Sequence, residues 1–254
     1  MAKRNSEMGF LEHLEELRRR LITCLASVLV LSIIGYFFAE YMIDFLTRPV
    51  GEVYFMAPTE AFGVRIKISL FAGAIASIPV ILYQSWQFVV PGLYEHEVKL
   101  VIPVVFFGTL FFLIGSSFCF LVVLPVGVKF LVGFGTENLK PLISVGKYLS
   151  FAAWMVLAFG IVFELPVVSF FLGKAGIITH RTLSKARRYA IVGILLLAGA
   201  ITPSPDVFSQ LMLAGPLYFL YEVSVILVRY TGRKRPDKPK DEDMPDKARS
   251  SLAG

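Results

Sequence analysis

Charge is what this sequence has little of. Only 17% of its residues are Asp, Glu, Lys or Arg, while 56% are hydrophobic and the mean hydropathy is +0.70. A soluble domain of 254 residues would carry more charge, so a water-exposed globular fold is excluded for most of the chain. Cysteine is nearly absent. Cys24 and Cys119 both lie inside apolar runs, too far apart in sequence for a metal motif, and read as small apolar residues. Histidine is scarce and scattered (His13, His96, His180), and no metal spacing, Gly-rich phosphate loop or HExxH helix occurs. No nucleophile–base arrangement is present either, so neither an enzyme nor a cofactor is expected. Nor is a signal peptide expected: the first apolar run is too long for an h-region and no small-residue cleavage site follows it.

What the chain does have is long apolar runs. A bilayer core takes about 20 apolar residues of helix. Six runs stand out: Leu21–Phe38, Ile68–Val90, Leu100–Leu124, Leu149–Gly173, Tyr189–Ile201 and Val207–Val228. The expected fold is therefore all-α, a single membrane domain of six helices over residues 1–232, with a disordered, charge- and Pro-rich tail over 233–254. The last two spans are expected to be short. At 1.5 Å per residue the fifth run reaches only about 20 Å of a roughly 30 Å core. The segments at the even-numbered ends, Met1–Arg20, Pro91–Lys99, Lys174–Arg188 and Arg229–Gly254, hold 19 of the 25 Lys and Arg residues. Positive residues collect on the cytoplasmic side, so both termini are expected there. On the same ground the net charge of +6 is a membrane signature and not a sign of nucleic acid.

Several polar groups sit where hydrocarbon or a membrane edge makes them costly. The segment Gly9–Leu21 has helical spacing, with Phe10, Leu14, Leu17 and Leu21 on one stripe, and is expected to lie on the membrane surface ahead of the first span. Glu16 on it is open to two readings: an i,i+4 pair with Arg20, matching Glu15 with Arg19, or an acceptor for a cationic ligand. Glu95 and Glu97 follow the Pro91-Gly92 break with only Lys99 as a local counter-charge. They either complement the first turn of the third span or offer carboxylates to a guanidinium fork. Glu164 lies inside the fourth span, beside Pro166, and must be neutral, paired or facing a polar recess. Gln210 in the sixth span either packs against a neighbouring helix or meets a partner, and Asp206 is placed as the N-cap of that span.

Four pieces then carry a resemblance: HLEELRRRL at His13–Leu21, SIPVILYQSWQFVVPGLYEHE at Ser77–Glu97, FGIVFELPV at Phe159–Val167 and TPSPDVFSQ at Thr202–Gln210. In this order they resemble TatC, the multi-spanning receptor family of the twin-arginine protein translocase. The resemblance implies six spans in a glove-like shape in the bacterial cytoplasmic (inner) membrane. It also implies recognition of paired-arginine signal peptides on folded cargo, and transport driven by the proton-motive force. The implied partners are TatA-type and TatB-type single-span proteins, together with further copies of this chain. Residue by residue it implies signal-peptide binding at Glu16 and Glu97, with Arg18 and Glu95 beside them, an intramembrane polar site at Glu164, and partner contacts at Gln210, Asp206 and Pro49. The turn Thr202-Pro203-Ser204-Pro205-Asp206 is one residue longer than the commoner form. A proton-coupled secondary transporter of a small solute is the competing reading, motivated by Glu164.

Overall fold

The computed structural model describes residues 10–89, 101–133, 142–201 and 207–231, and among these the protein is mostly helical, with no strand. The elements are α1 (Phe10–Phe37), α2 (Ala39–Thr47), α3 (Pro58–Ala76), α4 (Ile78–Val89), α5 (Val101–Phe118), a π-helical turn (Cys119–Val123), α6 (Leu124–Val132), α7 (Val145–Lys174), α8 (His180–Ile201) and α9 (Val207–Thr231). Four stretches are long and apolar enough to cross a membrane: Glu12–Phe37, Val101–Val132, Val145–Lys174 and Gln210–Tyr230. The bent pair α3–α4 makes a fifth. Glu95, Glu97, Asp206 and the tail over 233–254 lie outside the described residues.

The expected surface helix is not a separate element. Phe10–Phe37 is one helix of 28 residues, because no Pro or Gly interrupts the sequence before Gly35. The predicted second run crosses a break. Here α3 and α4 meet at 52°. Pro79 cannot donate a backbone hydrogen bond, and the buried Ser77 turns its hydroxyl onto the Gly73 carbonyl at 2.6 Å. The third run swells into the π-turn just ahead of Pro125, with the Leu124 amide reaching five residues back to Cys119. Of the two last spans, the shortness falls on the fifth. Helix α8 has 22 residues, but it opens on His180, Arg181, Lys185, Arg187 and Arg188, whereas α9 has 25 residues.

Helix α7 is the centre of the packing. Half of its most apolar stretch is buried, whereas α1 leaves most of its surface uncovered by the rest of the protein, with 11% buried. Leu149, Ala152, Met155 and Phe159 of α7 form the core with Val64, Ile68 and Phe71 of α3 and Leu213 and Leu217 of α9. Helix α1 reaches this core through α3, where Gly73 lies against Ser32 and the Val28 carbonyl, with no room for a side chain.

The end of the bundle away from the N-terminus is held by polar contacts. Tyr54 and Ser144 form an isolated parallel bridge, with Tyr54 N donating to Ile143 O and Val145 N to Tyr54 O, each at 3.0 Å. Glu60, in the first turn of α3 and ahead of the apolar run, accepts from Ser144 Oγ at 2.5 Å, Met56 N at 2.6 Å and Gly146 N at 2.7 Å. One carboxylate thus ties the start of α3 to the start of α7 and supplies donors at both helix N-termini with an acceptor. The Tyr148 hydroxyl donates at 2.8 Å to Leu46 O, a carbonyl in the last turn of α2 that α2 itself cannot satisfy.

Candidate functional site

Glu16 lies two turns into α1, on the face that meets α4. Its side chain is 21% exposed. Oε1 accepts from Arg20 Nε at 2.9 Å and also from Arg20 Nη2. The remaining arm of the same guanidinium, Nη1, donates to Gln84 Oε1 on α4 at 3.1 Å. Beside this pair the His13 ring stacks on Phe88, with centroids 4.2 Å apart and planes at 15°. His13 Nδ1 stands 3.8 Å from Glu16 Oε2, beyond hydrogen-bond reach. Oε2 is buried and has no hydrogen-bond partner among the described residues. A buried, partnerless carboxylate oxygen is costly, so this corner is chemically primed for a donor.

The i,i+4 pairing expected of Glu16 and Arg20 is present. The pairing expected of Glu15 and Arg19 is not: Glu15 approaches Arg18 at 3.9 Å, three residues on. Both of those side chains are about three-quarters exposed (77% and 75%), so neither is held tightly and the shorter spacing is as accessible as the longer. Arg18 therefore does not join the Glu16 cluster. Glu95 and Glu97 belong to the connection that leaves α4 just after Phe88 and re-enters at α5, outside the described residues.

Glu164 projects from α7 towards α5 and α4. A β-carbon placed at Gly108 of α5 would lie 2.9 Å from Glu164 Oε2, 3.4 Å from Oε1 and 3.0 Å from Leu82 Cδ1 of α4. The carboxylate thus occupies the space that a missing side chain on α5 leaves open. Its Oε1 is buried without a partner among the described residues, as Oε2 of Glu16 is. Helix α4 borders both sites, Leu82 at one and Gln84 at the other. Towards Lys174 an apolar cavity of about 230 Å³ opens beside Pro166, lined also by Phe107, Phe111, Phe170 and Leu227.

Gln210 is used within the chain: Nε2 donates to Leu195 O at 2.8 Å and ties α9 to α8. Pro49 stands half-buried in the turn that closes α2. Glu222 of α9 is also engaged within the chain. It pairs with Arg187 of α8 at 2.9 Å and accepts from Tyr218 at 2.8 Å, while Tyr221 donates to Leu183 O at 2.6 Å. Sequence reasoning missed Gln84. The available signal was an amide, one of two with Gln87, in a largely apolar helix.

The comparisons with known proteins agree with one another. The family model described as Sec-independent protein translocase protein (TatC) matches residues 12–216. The chain is 40% identical over 227 residues to the Sec-independent protein translocase protein TatC of Carboxydothermus hydrogenoformans, covering 88% of this chain and 93% of that one. It is 42% identical over 238 residues to the TatC of Aquifex aeolicus, covering 91% and 98%. Among solved structures, a crystal structure of the twin arginine translocase receptor TatC superposes with a TM-score of 0.80 at 41% identity, over 87% of this chain and all of that one.

Proposed function

The chain belongs to the TatC family of Sec-independent protein translocase proteins, and on that premise we propose that it is the receptor subunit that binds the paired-arginine signal peptides of folded cargo. The observation that carries this reading is the Glu16 corner. One carboxylate oxygen holds a guanidinium through two nitrogens, and the other is buried with no partner among the described residues. A site already shaped to hold a guanidinium suits a ligand that brings two more. Glu97, with Glu95 beside it, supplies the second acidic arm, on the connection that leaves α4 next to the His13–Phe88 stack. The Lys and Arg distribution puts this end in the cytoplasm, where a folded precursor arrives. The peptide's apolar segment then runs along α4 towards Glu164.

Sequestering a signal peptide needs no chemistry from the chain, so it is read as a non-enzyme that nucleates a larger assembly. TatA-type and TatB-type single-span proteins and further copies of this chain are the partners, the TatB-type one docking near α8 and α9, with partner contacts at Gln210, Asp206 and Pro49. The proton-motive force of the bacterial cytoplasmic membrane drives the transport. The test is site-specific photocrosslinking in membranes. Glu16→Ala and Glu97→Ala should each abolish crosslinks to a twin-arginine precursor while the protein still inserts, and full crosslinking by the double variant would refute the assignment. A proton-coupled transporter draws support from one observation, the partnerless oxygen of Glu164. Uptake of a small solute by the purified protein in liposomes, without single-span partners, would favour it.

A further inference from the structure

Arg20 uses three nitrogens of one guanidinium on two helices. Nε and Nη2 go to Glu16 Oε1, and Nη1 goes to Gln84 Oε1, 64 residues away. The two acceptors thus match the different edges of one planar fork. An ammonium is a point charge on a flexible stem and cannot present separate nitrogens to both. Arg20 is itself 21% exposed, so the occupied cradle borders solvent. Its bond to Glu16 is an i,i+4 helix pair, a class of contact that is weak where water reaches it.

We propose that Glu16 and Gln84 together form a guanidinium cradle that Arg20 fills at rest, and that one arginine of the signal peptide binds by displacing it. This rests on the reading of Glu16 as a signal-peptide acceptor and adds a specificity-determining residue, Gln84, and a resident competitor, Arg20. Exchange of one guanidinium for another conserves all three contacts, so it is cheap for arginine. A lysine would forfeit the bond to Gln84. The preference for arginine therefore comes from the neutral amide as much as from the carboxylate. A resident competitor also lowers the apparent affinity by the fraction of time it occupies the cradle.

The experiment is equilibrium binding of a fluorescent signal peptide to the purified full chain in nanodiscs. The peptide carries either its paired arginines or lysines in their place. Gln84→Leu should weaken the arginine peptide more than the lysine one, narrowing the ratio of the two affinities about tenfold, equivalent to about 1.4 kcal/mol. Arg20→Ala should tighten the arginine peptide about threefold, in keeping with a weak, part-buried helix pair that borders solvent. Gln84→Glu keeps an acceptor in place and should retain the preference for the arginine peptide over the lysine one, which covers the case in which Gln84→Leu does not fold. An unchanged ratio in Gln84→Leu, weaker arginine-peptide binding in Arg20→Ala, or a ratio lost in Gln84→Glu would each overturn the proposal. Glu16→Gln is the separate control: if it leaves arginine-peptide binding intact, the underlying reading of Glu16 fails instead.

Discussion

Gly108 is where the lack of a side chain leaves room for Glu164. A β-carbon there would sit 2.9 Å from Oε2 and 3.0 Å from Leu82 Cδ1, each inside ordinary contact distance. In Gly108→Ala two effects oppose. Replacing Gly in a helix interior gains about 0.5–1 kcal/mol. Pushing the carboxylate and the Leu82 methyl aside by a few tenths of an ångström costs about 1 kcal/mol, at the low end of overpacking. The two nearly cancel, so the Ala variant should melt within a few degrees of the parent. Gly108→Val adds two more methyl groups against the same neighbours and loses the helix gain to β-branching, so overpacking wins by about 2 kcal/mol. That lowers the melting temperature by about 4–8 °C for a chain of this size. It also expels the Glu164 carboxylate from its niche. The assays are thermal unfolding in detergent and transport of a twin-arginine precursor into inverted membrane vesicles. Transport should be near normal for Ala and should fall severely for Val, with crosslinking at Glu16 retained in both. Full transport by a correctly folded Gly108→Val protein would refute the claim that the niche of Glu164 matters.

Two further outcomes follow from contacts elsewhere. Glu60 accepts from Ser144, Met56 and Gly146 and so clamps the start of α3 to the start of α7. Hydrogen exchange at Tyr54 and Gly146 should be faster in Glu60→Ala than in the parent at pH 7, and equal rates would contradict the clamp. At Gly73 a new β-carbon meets backbone atoms of α1 as well as the Ser32 hydroxyl. Gly73→Leu should therefore separate α1 from α3 and destabilise the protein by about 3 kcal/mol or more, read as a loss of monodisperse protein on size-exclusion chromatography.

Much of the architecture was legible because a span of some 20 apolar residues has few alternatives in a chain so poor in charge. Pro79 announced the break in the second span. The helix that precedes it was less legible. Its start at Pro58, capped by Glu60, lies in polar sequence ten residues ahead of the apolar run. The first helix was split too early, because the stripe of Phe10, Leu14, Leu17 and Leu21 ends in charged residues that favour helix as strongly as the span does. In the candidate site, the pair of Glu16 and Arg20 could be read from a spacing of four. Gln84 could not, since its bond to Arg20 joins helices 64 residues apart. Glu164 stood out as a carboxylate in an apolar run, but the glycine that makes room for it lies on another helix.

The central claim is that the Glu16 corner receives a signal-peptide guanidinium. The most direct measurement is a crosslink map in native membranes, with a photoreactive residue placed in turn along α1 and α4 and a precursor bearing paired arginines or paired lysines. The account predicts crosslinks at positions around Glu16 and Gln84 that appear with the arginine precursor, weaken with the lysine one and vanish in Glu16→Ala. Equal crosslinks with both precursors at those positions, undiminished by Glu16→Ala, would contradict it.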